Sequence, residues 1–219
     1  MTSLQQLISE AYRLRLLSGV DELLRLVGYE RVAGVDEAGR GCLAGPVVAA
    51  AVVLGPGHTL PGVDDSKNLS ASARERLAAA IKESALSWSV NSVSSAVIDC
   101  TNILEATRRA MMACLEDLNP RPDCAVLDAV RLSSLGYPAL GLVRGDAVSY
   151  TVATASILAK VERDRLMREM DEKYPQYGFA RHKGYGAAEH RRALAEYGPS
   201  PEHRLTFRSV LPRTDEAGA

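Results

Sequence analysis

The sequence predicts an α/β fold built on a mixed five-stranded sheet with helices against it. Two observations carry this. Strand-like and helix-like runs alternate along the 219 residues, which is the pattern of layered α/β domains. The run Val47–Val53 is apolar without alternation, as in a strand covered on both faces.

The elements follow in order. Leu4, Leu7, Ile8, Ala11 and Leu14 recur at helical spacing. A second short helix is expected over Val20–Leu26. Arg31–Val35 reads as a strand interrupted by Gly39-Arg40-Gly41, and Pro46–Leu54 as the next. Pro56, Gly57, Pro61 and Gly62 mark a loop, and Ser70 is placed to cap a helix running to about Ser84. Leu86, Trp88 and Val90 alternate with polar residues and predict a half-buried strand with those three inward. One helix is expected from about Asp99 to Leu118. Cys124–Leu127 and Leu140–Val143 read as short core strands. Thr151–Met170 is a helix with Val152, Ala155, Ala159, Leu166 and Met170 on one stripe. After Pro175 come a Gly- and aromatic-rich loop and a helix near Ala187–Glu196.

The expected organisation is an N-terminal helical segment (1–30), an α/β core (31–174), a C-terminal helical extension (175–212) and a disordered tail (213–219). Formal net charge is -1, but its distribution is uneven. Residues 155–213 hold 12 Lys and Arg against 8 Asp and Glu, together with His182, His190 and His203. A near-neutral chain can still offer one basic face to a phosphate backbone. Cys42, Cys100, Cys114 and Cys124 show no C-x-x-C spacing, which argues against a zinc site and for reduced thiols in a cytoplasmic protein. No apolar run reaches the ~20 residues of a membrane span. The first 17 residues are amphipathic and carry no cleavage-site pattern.

Three apolar runs each lead into an acid: Val32–Val35 into Asp36-Glu37, Ala125–Leu127 into Asp128, and Gly141–Val143 into Asp146 through Arg144 and Gly145. Any single one of these could be an ordinary strand-end charge. If the strands are neighbours, four carboxylates converge at the sheet's rim, where unpaired they repel strongly. Hard oxygen ligands without Cys or His suit Mg²⁺ or Mn²⁺, and a pair of such ions hydrolyses phosphodiesters. Asp36 and Glu37 are adjacent, so both face one site only if the strand bends or ends there.

These residues sit in longer motifs. Val-Ala-Gly-Val-Asp-Glu-Ala-Gly-Arg-Gly (Val32–Gly41) resembles the opening motif of ribonuclease HII, the bacterial type 2 ribonuclease H. Further agreement comes from Asp65-Ser66-Lys67-Asn68-Leu69, Leu127-Asp128, Gly145-Asp146, Ala155–Asp164, Tyr174–Phe179 and His182-Lys183-Gly184-Tyr185, so the match runs from about Gly28 to Phe207. The resemblance implies a ribonuclease H-like sheet and a C-terminal helical extension. It implies catalysis and metal binding by Asp36, Glu37, Asp128 and Asp146 with two Mg²⁺ or Mn²⁺ ions. The substrates would be RNA–DNA hybrids and duplex DNA with embedded ribonucleotides, cut on the ribonucleotide's 5′ side to leave 3′-hydroxyl and 5′-phosphate ends. Gly39, Arg40 and Gly41 fit a 2′-hydroxyl sensor and Tyr185 a ring packed on the neighbouring sugar. Ser66, Lys67, Lys160, Arg163 and Lys183 fit phosphate contacts. The chain is expected to act as a monomer away from membranes.

The sequence departs from the family pattern at Cys42, Ala129, Val148, Thr154 and Ala187. Three other readings remain: a silent hybrid-binding protein, whose signature would be a missing carboxylate; another nuclease on the same fold; and a small-molecule phosphatase, which needs no basic C-terminal third.

Overall fold

The computed structural model describes residues 3–133 and 135–211, so the expected disordered tail at 213–219 lies outside the described residues. Helices α1 (Leu4–Leu17) and α2 (Gly19–Leu26) precede β1 (Val32–Ala38) and β2 (Val47–Val53). Then come α3 (Ala71–Ser84), β3 (Ser87–Val93), α4 (Ser95–Cys100) and α5 (Ile103–Glu116). The strands β4 (Cys124–Asp128) and β5 (Ala139–Leu142) complete the sheet. The long α6 (Tyr150–Lys173), the one-turn α7 (Phe179–His182) and α8 (Ala188–Tyr197) follow. Strand order is β3-β2-β1-β4-β5, antiparallel across β3, β2 and β1 and parallel across β1, β4 and β5.

The central strands β2, β1 and β4 are buried on both faces, as the unbroken apolar run of β2 requires. One face packs on α3 and α6 through Ala50, Val52, Ile81 and Ile157. The other packs on α5 through Ala49, Ala51, Met111 and Leu127. Helix α6 lies directly on β1 at Gly34. A Cβ there would stand 2.0 Å from the Thr151 carbonyl carbon, so no larger residue fits. This contact fixes α6 along β1 and places Ser156 beside Asp36.

Four expectations are corrected. The β1 strand does not stop at Val35: its ladder with β2 continues through Glu37↔Ala49 and Ala38↔Val48. The β3 alternation holds only at Val90, which packs against the core. Ser87 and Ser89 point inward while Leu86 and Trp88 are exposed, because the serines sit under the end of α5. There Ser89 donates to Asp117, and Ser87 accepts from the Asn119 amide. Lys82 covers the Trp88 ring from α3. The single helix expected over Asp99–Leu118 is two, because Asn102 leaves the helical conformation to cap α5 through the Glu105 amide. Finally, β5 is an exposed edge strand rather than a core strand, lying outermost next to β4.

Besides Leu14 and Leu17, which pack in the core, a buried acid ties the N-terminal helices to it. Asp21 accepts hydrogen bonds from the Tyr150 amide at 2.7 Å and from the hydroxyls of Ser149 and Thr151, so α2 caps the start of α6.

Candidate active site

The parallel pairing of β1 with β4 ends at Val35↔Leu127, and both chains continue into acids at the rim. Asp36 is buried on the α6 side. It accepts from the Glu37 amide at 2.7 Å and lies within hydrogen-bonding reach of the Ser156 hydroxyl. Glu37 follows on an unbroken strand, so it starts from the opposite face. The ladder with β2 runs on through both residues. What relates the two side chains is the open rim beyond Val35, where no parallel partner separates them. Glu37 takes Arg40 at 3.3 Å on one oxygen, while its other oxygen is buried with no hydrogen-bond partner. Asp128 ends β4 and accepts from the Gly145 amide at 2.6 Å. Asp146 is buried on a 3-10 turn, Gly145–Ala147, just before α6, with Lys67 Nζ 3.5 Å away.

Burial raises the proton affinity of Asp36 far above the ordinary carboxylate range, and the charges of Glu37 and Asp128 push it further. Burial likewise raises Glu37, against the pull of Arg40, and raises Asp128, against the Gly145 amide. Partial burial lowers Lys67, but Asp65, Asp146 and Asp36 outweigh it and raise its affinity for the proton overall. Four carboxylates therefore share two nearby cations, Arg40 and Lys67. The excess negative charge, the oxygen-only donor set and the orphaned Glu37 oxygen fit hard divalent cations. Among the described residues, no three acids, histidines or cysteines stand close enough to form a ready metal cage. In this arrangement Arg40, Lys67 and the Gly145 amide each draw a carboxylate aside.

The remaining expected residues divide. Lys67 is exposed and adjoins the acids. Tyr185 is 48% exposed, with its phenol against the Cys42 thiol. Gly39 has φ +98, and a Cβ there would stand 1.9 Å from the Arg163 Nε. Gly41 is exposed. Ser66 is a correction: its hydroxyl is buried 2.8 Å from that of Ser156, forming a Ser66–Ser156 support behind Asp36 rather than a surface contact. Arg163 is a second correction. It is wholly buried and donates to the carbonyls of Ala44, Pro46 and Lys183 at 3.2, 3.1 and 2.9 Å, so no phosphate reaches it. Lys160 pairs with the buried Asp164 at 2.7 Å, where Arg74 joins. Lys183 turns its ammonium to the Ala180 carbonyl.

Sequence reasoning missed Ser156 and Arg204. Ser156 had a signal, as a hydroxyl in an otherwise apolar stretch of α6, Ile157-Leu158-Ala159 beside it. Arg204 had none locally, because its acceptors lie about 160 residues away. Two departures from the family pattern acquire physical meaning. Ala129 takes a left-handed φ of 49, the conformation a glycine adopts at less cost. Ala187 occupies the N-cap of α8 and supplies no side-chain cap.

The family model described as Ribonuclease HII matches residues 33–210. Ribonuclease HII of Ruminiclostridium cellulolyticum is 55% identical over 180 residues, covering 82% of this chain and 71% of that one. Ribonuclease HII of Chloroflexus aurantiacus is 53% identical over 197 residues, covering 88% and 93%. The crystal structure of ribonuclease H2 from Pyrococcus horikoshii superposes with a TM-score of 0.69 at 26% identity, covering 82% and 95%.

Proposed function

Since the chain belongs to the ribonuclease HII family, and is thereby a hydrolase of the ribonuclease H kind, we propose that it cuts the RNA strand of RNA–DNA hybrids and the 5′ side of ribonucleotides embedded in duplex DNA. The products carry 3′-hydroxyl and 5′-phosphate ends, and the work belongs to ribonucleotide removal during DNA replication and repair. The observation that carries this reading is the surplus of buried carboxylate at the rim, with one Glu37 oxygen unpartnered.

The family depends on divalent metal. We assign Asp36, Glu37, Asp128 and Asp146 as the ligands of two Mg²⁺ or Mn²⁺ ions. Such a pair supplies Lewis acidity at the phosphate, favouring a nucleophilic water and the departing 3′-oxygen. The chain itself does the positioning. Ser156, backed by Ser66, holds Asp36, and Arg40 holds Glu37. Lys67, on an exposed stem beside Asp146, meets the phosphate backbone. Lys160 and Lys183 add positive potential along the same side rather than direct phosphate contacts, since both ammoniums are engaged. Gly39, Arg40 and Gly41 read the 2′-hydroxyl with backbone groups, and the Tyr185 ring packs on the next sugar. Residues 31–174 form the catalytic core, to which 1–30 and 175–212 are accessory.

The test is cleavage of duplex DNA carrying one ribonucleotide, with Mg²⁺, Mn²⁺ or chelator, beside an all-DNA control. Metal-dependent cutting on the 5′ side with an intact control is expected. Equal cutting of the control, or none of either with metal present, overturns the reading.

A further inference from the structure

Two arginines lie wholly buried beneath the Gly39–Pro46 loop, and neither forms an ion pair among the described residues. Arg163 comes from α6 and Arg204 from the chain beyond α8. Arg204 donates through Nε and Nη2 to the Gly45 carbonyl, at 3.0 and 2.8 Å, and through Nη1 to the Arg40 carbonyl at 2.9 Å. Its backbone amide adds a bond to the Leu43 carbonyl at 2.9 Å. Asp99 on α4, an acid whose charge acts on Arg204, spends its oxygens on the amides of Leu205 and Thr206 and on the Thr206 hydroxyl. Asp99 thus anchors the segment that carries Arg204 into the core.

The direction of the Arg40 carbonyl has a consequence. In a planar trans peptide, C=O and the following N–H point to opposite sides. With the Arg40 carbonyl turned inward onto Arg204, the Gly41 N–H is turned outward. Three amides that follow it in the loop are engaged: Cys42 donates to Gly39, Leu43 to Gly184 and Gly45 to Glu202. Gly41 is exposed, and among the described residues its amide donates to no acceptor. A guanidinium fork can hold the carbonyls at both ends of the loop at once, which a single ammonium cannot.

We infer that Arg204 is a positioning residue for ribose recognition: it fixes the Arg40–Gly41 peptide so that the Gly41 N–H is presented to the sugar's 2′-hydroxyl. This rests on the reading of Gly39–Gly41 given above, and it makes the C-terminal extension part of the sensor.

The measurement is ribose selectivity in binding. Affinities for a DNA duplex with one ribonucleotide and for the same duplex without it are taken by fluorescence anisotropy in Ca²⁺. Arg204→Lys keeps the charge and loses the fork. Selectivity is expected to fall about tenfold, the worth of one well-placed hydrogen bond, with affinity for the all-DNA duplex unchanged. Equal loss on both duplexes marks a merely structural role and overturns the inference, as does full selectivity. Should Arg204→Lys not fold, Asp99→Asn loosens the same segment from its partly exposed side. Selectivity is then expected to fall about threefold, and an unchanged value overturns the inference. Cleavage by the unaltered protein in Mg²⁺ separates the two levels. No cutting at the ribonucleotide overturns the proposed function, whereas cutting with full selectivity in both variants overturns only the role of Arg204.

Discussion

The Nε2 atoms of His190 and His203 lie 3.0 Å apart in the buried layer beneath Tyr185. The pattern around them sets both tautomers. The Ser200 amide donates to His203 Nδ1, so His203 carries its proton on Nε2 and donates it to His190 Nε2. His190 then carries its proton on Nδ1 and donates to the Tyr185 carbonyl at 2.9 Å. The His182 ring stacks on His190, with centroids 4.4 Å apart. None of the four nitrogens in the pair can accept a further proton without breaking this chain.

Acid should therefore loosen this layer. Burial, then the neighbouring His190, lowers His203 from the ordinary 6.5 to about 4, and burial also lowers His190. The unfolded chain binds more protons than the folded one throughout that interval. The contribution is complete above pH 6.5 and is lost as pH falls toward 4. Thermal melts at pH 7.5, 6.0 and 5.0 should show a falling Tm, and His203→Gln should flatten the fall. A wild-type Tm constant across the window removes the argument.

Asp21 offers a stability test far from the acids. Asp21→Ala leaves a buried amide and two hydroxyls at the start of α6 without their acceptor. The cost should be about 3 kcal/mol, a Tm drop of roughly 6–12 °C. Cleavage well below that Tm should remain close to normal, because Asp21 serves α6's start and not the rim. A variant that melts normally would show that α2 does not cap α6.

How much was visible in the sequence follows from the range of each interaction. Period and composition are local, so β2, α6 and the three acid-tipped runs were legible. The burial of Ser87 and Ser89 was not, because they are inward only where Asn119 and Asp117 meet them. Arg163 looked like a phosphate contact for the same reason: its acceptors, Ala44 and Pro46, are nearly 120 residues away. The four acids were found as strand ends and Arg40 within the Gly-Arg-Gly loop, whereas Ser156 beside Asp36 emerges only once α6 lies on Gly34.

Ala187→Ser should stabilise the protein. The α8 N-cap has φ -65 and ψ 159, within a few degrees of Ser70 at -65 and 158, whose hydroxyl caps α3. The backbone is already arranged for a hydroxyl cap, and Ala187 leaves the helix without one. A gain of about 1 kcal/mol is expected, raising Tm by roughly 2–4 °C. An unchanged Tm would mean that solvent satisfies those amides equally well.

Tyr185 separates ring from hydroxyl. If packing on a sugar is its task, Tyr185→Phe keeps the face and should cut a single embedded ribonucleotide at nearly the wild-type rate. Tyr185→Ala loses about 1–3 kcal/mol of stacking and should slow that cut by roughly tenfold or more. Equal rates for all three chains would take the ring out of substrate recognition.

Asp36→Asn tests the site and the electrostatics together. Asn keeps the shape and can still accept from the Glu37 amide, so the fold should survive. It removes one of the charges crowded with Glu37 and Asp128. Without metal the variant should melt no lower than the parent and up to a few degrees higher, by about 1 kcal/mol of relieved repulsion. Cleavage should nevertheless be abolished, because a neutral amide is a poor ligand for a hard cation. The two outcomes must occur together. A variant that loses both activity and stability would make Asp36 a structural acid held by Ser156. One that gains stability yet cuts at full rate would move the metal ligands elsewhere on the rim.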